Sequence, residues 1–219
     1  MGVRVQRRVD TTAAILEVAR SHITVDGPAQ LSLRAVARDL DLSVSALYRY
    51  YASRDDLLTA LITEAYSDCA DAVETAMSTT KAGSPRKAWL AAARAYRGWA
   101  IANSSRFLLI FGTPVPGYVA PDHPTFAAGT RIPRLLTTLL VGSQVPHQRM
   151  ARTTRTNLTS LTQALGVDIS PDAMAAGMTA WDAVHGHVMF ELSGQFGPMG
   201  RDDGLFDLVV LSQAERLGL

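Results

Sequence analysis

The sequence predicts an all-α protein with an N-terminal three-helix domain of the helix-turn-helix type and a larger helical domain after it. Apolar residues recur along the chain at the three- and four-residue spacing of amphipathic helices. Proline and glycine gather in short segments, such as residues 112–124, that separate these helices. We expect the first domain to span residues 1–56 and the second to span residues 57–219.

Residues 31–58 predict two short helices joined by a tight turn, followed by the start of a third helix. Leu33, Val36 and Leu40 form one buried stripe on the first of these helices. Ser32 is placed to cap that helix, because a serine hydroxyl accepts a hydrogen bond from a free backbone N–H. This pattern predicts a helix-turn-helix.

The turn lies at residues 41–43, and its Leu42 is expected to point inward. Ser43 is placed to cap the second short helix, whose Val44 and Leu47 face the core. The remaining side chains of this helix point outward, so it is the predicted DNA-reading element.

Side chains that contact DNA are expected on this outward surface. Arginine can read guanine or hold a phosphate, and tyrosine hydroxyls commonly bond to phosphate oxygens. An ordinary solvated helix face is the alternative interpretation. The candidate DNA-binding residues are Ser32, Arg34, Ser43, Ser45, Ala46, Tyr48, Arg49, Tyr50 and Arg54.

A basic segment precedes the first helix, which is expected to run from about Asp10 to Val25. Arg7 and Arg8 in this segment could reach a phosphate or the minor groove as part of a flexible arm. They therefore join the candidate DNA contacts. A disordered N-terminus without a binding role is the alternative.

These motifs resemble the TetR family of bacterial transcriptional regulators. The matching segments are residues 32–37 (SLRAVA), 47–51 (LYRYY) and 53–57 (SRDDL). Tyr50 and Arg54 stand where the family more often has His and Lys, and both keep a phosphate-contacting type. The resemblance implies a ligand-responsive regulator that binds specific double-stranded DNA, most commonly as a repressor.

The second half resembles the TetR C-terminal domain that is named for its Trp-His-Gly signature. The segments that carry this resemblance are residues 96–100, 106–114 and 181–186. The resemblance implies that the last two helices pair with their copies as a four-helix bundle. A homodimer reading a palindromic operator is the usual arrangement for such a short recognition helix.

An effector pocket is expected where aromatic residues gather, because ligand pockets are mostly apolar with a few polar groups. Simple core packing is the alternative for each residue. The expected effector is a small apolar or aromatic compound. The candidate pocket residues are Trp89, Tyr96, Trp99, Phe107, Phe111, Tyr118, His123 and Trp181.

A dimer interface is expected along the helix that follows Ser170, where apolar residues alternate at spacings of four and three, as in a coiled-coil seam. The same seam could instead be internal core. The candidate interface residues are Met174, Met178, His185, Val188, Leu192, Phe206, Val209 and Val210.

Other helices are expected between and around these features. They cover residues 53–77, 84–103, 106–111, 125–141 with a bend at Pro133, 148–165 and 205–217.

Composition narrows the possible function classes. The net charge is only +1, so the basic signal is local. The single cysteine, Cys69, allows neither an intramolecular disulfide nor a cysteine cluster for a metal, and it is expected to be a small buried residue. His185 and His187 lie two residues apart on different helix faces, which does not suit a shared metal. We expect no metal and no cofactor.

The sequence motifs of enzymes and membrane proteins are also missing. There is no G-x-S-x-G, no phosphate-binding glycine loop and no plausible carboxylate pair, so no enzyme is expected. No run of about 18 apolar residues predicts a membrane span, and the N-terminus lacks the apolar core of a signal peptide, so a cytoplasmic protein is expected. A small-molecule sensor or carrier without specific DNA binding is the remaining alternative.

Overall fold

A computed structural model describes residues 2–80 and 84–219, without the side chains of Arg4, Asp122 and His123. Within these ranges every regular element is a helix, which confirms the all-α prediction. A 3₁₀ turn, Pro28–Gln30, follows the first helix. The α-helices are α1 (Val3–Asp26), α2 (Leu33–Asp39), α3 (Val44–Leu47), α4 (Arg54–Ser78), α5 (Pro85–Ala102), α6 (Ser104–Phe111), α7 (Asp122–Gly129), α8 (Arg131–Thr138), α9 (Arg152–Leu165), α10 (Pro171–Leu192) and α11 (Asp203–Arg216).

The chain forms two compact units. Unit 1 comprises Met1–Asp68 and Asn103–Gly129, and unit 2 comprises Cys69–Ala102 and Thr130–Leu219. This division differs from the predicted boundary after residue 56, because α6 and α7 fold with the helix-turn-helix. Helix α4 is continuous across residue 68, so one helix contributes to both units.

The core of unit 1 is built from the stripes that the sequence predicts. Ile15 of α1, Val36 of α2, Leu47 of α3 and Leu57 of α4 are fully buried in one cluster. Leu42 packs against the same cluster, as predicted for the inward residue of the turn. The helix-turn-helix is therefore held by apolar contacts between four helices.

Helix α1 begins seven residues earlier than expected. Gly2 is its N-cap, and the helix runs without interruption from Val3. Neither proline nor glycine interrupts residues 3–9, and their side chains do not oppose helix formation strongly. The structure thus replaces the predicted flexible arm with a helical extension that carries Arg7 and Arg8.

Helix starts follow the predicted caps in α3 and α10. The Ser43 hydroxyl accepts from the Ala46 backbone N–H at 3.2 Å, and the Ser170 hydroxyl accepts from the Ala173 N–H at 3.1 Å. Ser32 is the N-cap of α2, but its side chain makes no capping hydrogen bond. This last observation corrects the predicted role of the Ser32 hydroxyl.

One predicted helix is divided in two. The segment expected to be a bent helix from 125 to 141 is α7 and α8, separated at Thr130. Pro133 has no N–H for the carbonyl of Gly129, which removes the hydrogen bond that would carry the helix across this point. The proline therefore stands in the first turn of α8, where it is tolerated.

Candidate DNA-binding surface and effector cavity

The recognition helix α3 is short and turns its polar side chains outward. It contains Val44–Leu47, and Leu47 is its buried anchor. Tyr48, which follows as the C-cap, is half exposed, and Arg49 is exposed. The Ser45 hydroxyl lies 3.1 Å from the Ser43 hydroxyl on the exposed side. These groups form the surface that a DNA groove would meet.

Two arginines in this region have side chains available for DNA. Arg34 on α2 and Arg49 after α3 are exposed, and neither pairs with an acidic side chain in the described part of the chain. Ala46 and Ser32 are partly buried, so they present little surface. Of the predicted set on α2 and α3, Tyr48, Arg49 and Arg34 therefore keep large, exposed polar side chains.

The helical N-terminus of α1 contributes a further basic group. The Arg8 guanidinium lies over the Tyr50 ring, 5.8 Å from its centroid, which is within range of a cation–π interaction. Tyr50 is partly buried and also packs against the core of unit 1. Arg7 is exposed on the same helix. Arg8 is therefore positioned by a residue of the predicted DNA-binding set.

Arg54 differs from the other candidates because it binds the protein's own backbone. Its Nη2 donates to the carbonyl oxygens of Pro28 at 2.8 Å and Ala29 at 3.2 Å, and its Nε donates to that of Leu31 at 3.1 Å. Its Nη1 lies 3.2 Å from a carboxylate oxygen of Asp55. With its donors used in this way, Arg54 joins α4 to the turn after α1. Its role as a phosphate contact remains a prediction.

Residues of the α6–α7 segment support the helix-turn-helix. The Tyr118 hydroxyl lies 2.9 Å from the Thr59 hydroxyl of α4, and the Tyr66 hydroxyl donates to the carbonyl oxygen of Ile110 at 3.0 Å. Val115 is buried in the helix-turn-helix core. The loop between α6 and α7 is therefore part of the structure that holds α4 and α1.

Ion pairs join α1, α4 and α6 on the surface of unit 1. Arg20 donates to Glu64 at 2.6 Å and also pairs with Glu17. Arg106 lies 2.5 Å from Asp68 and 3.8 Å from Glu64. Hydrogen bonding from Arg20 lowers the pKa of Glu17. Because these pairs are partly exposed, they contribute little to the free energy of unfolding. They connect side chains of three helices.

Unit 2 contains an apolar cavity of about 280 Å³. It lies among α5, α8, α9, α10 and the end of α11, and its volume suits a small organic molecule. Met178 and Leu161 line it and remain partly exposed, so the mouth of the cavity lies beside them. Its lining residues are Trp89, Thr130, Pro133, Leu136, Thr137, Leu140, Leu161, Leu165, Met174, Gly177, Met178, Trp181, Asp182 and Leu217.

Only part of the predicted pocket set lies at this cavity. Trp89 and Trp181 line it, and Tyr96 lines a small adjoining space with both tryptophans. The others are placed elsewhere: Trp99 is absent from both linings, Phe107, Phe111 and Tyr118 belong to unit 1, and the side chain of His123 lies outside the described residues. The aromatic cluster seen in the sequence is therefore divided between the two units.

The cavity residues missed by the sequence interpretation are mostly aliphatic. They come from α8, α9 and the first half of α10. At these positions the spacing of leucine and methionine predicts ordinary core packing, not a cavity wall. The usable signal was Gly177, because a β-carbon there would lie 2.8 Å from Cδ1 of Leu140. A glycine inside a helix indicates a close approach that another side chain would obstruct.

Helix α9, which forms one wall, is tied to the start of α10. Arg155 donates to the Asp172 carboxylate at 3.1 and 3.2 Å, and the Gln148 backbone N–H donates to it at 2.8 Å. These hydrogen bonds, first that of Arg155, lower the pKa of Asp172 to about 2. The wall is also held by the apolar cluster of Leu158, Leu165 and Met174.

Beside the cavity, Tyr96 and His185 form a hydrogen bond in which the Tyr96 hydroxyl lies 2.7 Å from Nδ1 of His185. The imidazole stacks on the Trp181 ring at 5.9 Å. Burial lowers the pKa of His185, which favours the neutral form. This contact uses His185 within unit 2, whereas the sequence predicts His185 at a dimer interface.

The predicted interface residues divide into buried and exposed positions. Met174, Val188, Phe206 and Val210 are buried within unit 2, so they are core residues and cannot meet a partner chain. The reason is geometric, because the seam faces the neighbouring helices of the same unit. Leu192 and Val209 are partly buried, and Met178 is exposed.

A different stripe of α10 and α11 faces outward. On α10 it contains Thr179, Gly186 and Phe190, and on α11 it contains Leu208 and Leu211. Each set follows helical spacing, and the two helices pack against each other. This stripe is called the α10–α11 face below.

A buried ion pair braces α10 from inside. Arg97 donates to both carboxylate oxygens of Glu191, at 2.8 and 2.7 Å, and its Nη1 donates to Asp203 at 2.6 Å. The Glu191 side chain is 1% exposed and that of Asp203 is 90% exposed. Hydrogen bonding to Glu191 raises the pKa of Arg97.

The described residues lack two features that mark other protein classes. No group of three or more His, Cys, Asp or Glu side chains there could hold a metal ion. Of the helices described, none is both long and apolar enough to cross a membrane. Cys69 is fully buried, as predicted.

A helix-turn-helix with outward-facing Tyr48 and Arg49 is typical of a DNA-binding transcriptional regulator. Residues 15–61 match the family described as "Bacterial regulatory proteins, tetR family", and residues 89–212 match "Tetracyclin repressor-like, C-terminal domain". The chain belongs to the TetR family of bacterial transcriptional regulators. Members of this family are regulators and not enzymes. The Trp-His-Gly subtype remains a sequence-based prediction.

Relatives agree with this family assignment. Over 132 residues the chain is 47% identical to the HTH-type transcriptional regulator Rv1816 of Mycobacterium tuberculosis (strain ATCC 25618 / H37Rv), a match that spans 60% of this chain and 56% of Rv1816. The crystal structure of SCO4313 is similar with a TM-score of 0.82 and 30% identity, covering 98% of this chain and 100% of that chain. The TetR family regulator PfmR from Thermus thermophilus shares the fold with a TM-score of 0.57 and 18% identity, covering 93% of this chain and 96% of that chain.

Proposed function

We propose that the chain is a ligand-responsive repressor that acts in the cytoplasm as a homodimer on a palindromic operator. The observation that carries this proposal is the exposure of the Tyr48 and Arg49 side chains, neither of which has an ion-pair or hydrogen-bond partner in the described part of the chain. An arginine beside a recognition helix can read guanine or bind phosphate, and Tyr48 can bind a phosphate oxygen.

Dimerisation follows from the size of the recognition element. Helix α3 has one turn of regular helix, which offers few base contacts. Two copies reading half-sites about 34–36 Å apart would supply the missing affinity and specificity. The α10–α11 face is the proposed interface, because it exposes Phe190, Leu208 and Leu211 beside the small Gly186. Contiguous exposed apolar residues commonly mark contacts between proteins.

Control by a small molecule would use the cavity of unit 2. Its aliphatic and indole lining suits an apolar or aromatic effector. The proposed mechanism is a population shift, in which the effector binds better to a dimer whose recognition helices do not fit two successive grooves. Helix α4, which contributes to both units, is the proposed route of coupling.

Fluorescence anisotropy on labelled DNA from upstream of the protein's own gene tests the DNA-binding part. We expect the native duplex to be preferred over a scrambled one at two salt concentrations. Arg49→Ala should weaken native-duplex binding by about tenfold, because a good base contact contributes about 1–3 kcal/mol. Arg201→Ala removes the same charge from an exposed position in unit 2 and should bind as the unaltered protein does.

Equal, salt-sensitive binding to both duplexes would leave only phosphate attraction for that DNA. If Arg49→Ala bound the native duplex as tightly as Arg201→Ala does, the recognition surface would be wrong. A protein that binds compounds in its cavity but shows no sequence preference on any DNA would support the alternative, a sensor or carrier without specific DNA binding.

A further inference from the structure

The cavity of unit 2 carries a single ionisable side chain. Among the described residues that line it, Asp182 is the only one that can hold a charge, and that charge is negative. Asp182 follows Trp181 on α10 and is exposed, which places it at the mouth beside Met178. The walls behind it are aliphatic side chains and two indole rings. The cavity therefore combines an apolar interior with an acidic mouth.

The Asp182 carboxylate is not neutralised by the described part of the protein. No lysine, arginine or histidine there forms an ion pair with it. The nearby His185 does not supply a positive charge, because burial lowers its pKa and its Nδ1 lies 2.7 Å from the Tyr96 hydroxyl. A cation at the mouth would thus meet an unopposed negative charge.

Two other polar groups of the lining are used within the protein. The Trp89 indole N–H donates to the carbonyl oxygen of Val210 at 3.0 Å, and the Thr137 hydroxyl donates to that of Arg134 at 2.8 Å. The indole rings remain as apolar surfaces that also attract cations through their π faces. A neutral polar ligand would find few partners here, and an anion would be repelled by Asp182.

We propose that the effector is a lipophilic organic cation, such as an amine with an apolar body about the size of a substituted aromatic ring. Its hydrocarbon part fills the cavity, and its positive group lies at Asp182. The proposal rests on the effector cavity of the proposed function and specifies its ligand. The carboxylate acts as the specificity-determining group, while the hydrophobic walls supply most of the binding free energy.

The test compares three probes with one apolar body: 4-tert-butylbenzylamine, 4-tert-butylbenzyl alcohol and 4-tert-butylbenzoate. Binding to the full-length protein is measured by isothermal titration calorimetry at pH 7. We expect the amine to bind about 5- to 20-fold more tightly than the alcohol, the range given by an exposed charge pair together with a cation–π contact. The benzoate should bind most weakly.

Asp182→Asn should abolish the preference for the amine and leave binding of the alcohol unchanged. Asp168→Asn is the matched control, because it removes one exposed carboxylate of unit 2 that does not line the cavity. That variant should keep the preference. Gly177→Leu should reduce binding of all probes, because its β-carbon would lie 2.8 Å from Cδ1 of Leu140 and the two side chains must then rearrange at the cavity that both residues line. The melting temperature of this variant is measured to verify folding.

Equal affinity of amine and alcohol in the unaltered protein would overturn the proposal, and so would a preference that survives Asp182→Asn. Amine binding that is unaffected by Gly177→Leu in a folded protein would overturn it too, since the probe would then bind elsewhere. In the case of equal affinities the apolar effector cavity of the proposed function stands. Failure of all three probes to bind would contradict both the cation proposal and the effector cavity of the proposed function. The operator measurements test DNA binding and do not depend on either of these two claims.

Discussion

The Nη2 atom of Arg54 donates a hydrogen bond to the carbonyl oxygen of Pro28 across 2.8 Å, joining the start of α4 to the turn that ends α1. The same guanidinium reaches two further carbonyl oxygens of that turn. An arginine at this place in the sequence would otherwise be taken for a DNA contact. The bond shows that a cationic residue beside a recognition helix can serve the domain's own stability.

Replacing Arg54 should therefore affect folding first. We expect Arg54→Ala to lower the free energy of unfolding by about 2 kcal/mol, because hydrogen bonds to charged groups contribute about 1.5–3 kcal/mol. Arg54→Lys should recover little of this free energy, since lysine lacks the planar guanidinium that donates to several carbonyl oxygens. Urea denaturation measures the effect, with Arg49→Ala as a control expected to stay within about 0.5 kcal/mol. Full stability of Arg54→Ala combined with lost operator binding would instead make Arg54 a phosphate contact.

Asp41 holds the turn of the helix-turn-helix with a φ of 52°. This left-handed conformation is strained for most side chains, although aspartate tolerates it better than most. We expect Asp41→Gly to be neutral or to stabilise the protein by up to about 1 kcal/mol, and Asp41→Val to destabilise it by about 1–2 kcal/mol. Thermal melts of the two variants provide the measurement. A valine variant as stable as the glycine variant would show that the turn is not constrained in this way.

The two carboxylates that bind Arg97 should contribute very differently. Glu191→Gln leaves the largely buried guanidinium with only the exposed Asp203 as a charged partner and should destabilise the protein by about 3 kcal/mol. Asp203→Asn removes an exposed partner of the same arginine and should change the stability by less than about 1 kcal/mol. Denaturant titrations of both variants test the contrast, and similar losses in the two would disprove it.

Acid should destabilise unit 2 through His187, which is buried between the rings of Phe196 and Phe206. Burial lowers its pKa from the ordinary value of 6.5, with Glu191 opposing the shift and Arg97 adding to it. The unfolded chain then binds a proton more readily, so this stability is present above pH 6.5 and is lost as the pH falls towards the folded pKa.

Melting temperatures measured between pH 7.5 and about 5 provide the check on this sign. We expect the unaltered protein to lose stability on acidification and His187→Gln to lose less. His185 has a lowered pKa for the same reason, so some pH dependence should remain in the single variant. If the melting temperatures of the unaltered protein and of His187→Gln fell equally on acidification, His187 would not be a source of the pH dependence.

Local patterns in the sequence predicted much of the fold. The cap of α3 at Ser43 and the proline start of α10 at Pro171 are set by neighbouring residues, so they could be read directly. Helix α4 was likewise predicted to within a residue at each end. The start of α1 was missed, because a basic composition was interpreted as a flexible arm although nothing in residues 3–9 prevents a helix.

Contacts between distant residues could not be predicted in this way. The bond from Arg54 to Pro28 depends on how two turns meet, and nothing near Arg54 in the sequence indicates it. The aromatic residues 89–126 appeared to be one cluster, but the chain passes from unit 2 to unit 1 at Asn103. The seam of α10 had two open interpretations, and only burial distinguished the core residue Val188 from the exposed Met178.

The packing of Val115 and Tyr118 into unit 1 limits how such a protein can be recombined. A chimera joined once after residue 68 would combine one protein's helix-turn-helix with another protein's α6–α7 loop. The Thr59 hydroxyl and the pocket for Val115 would then face foreign side chains. New pairings of DNA specificity and effector specificity should therefore arise more readily when residues 103–129 are inherited together with the N-terminal helices.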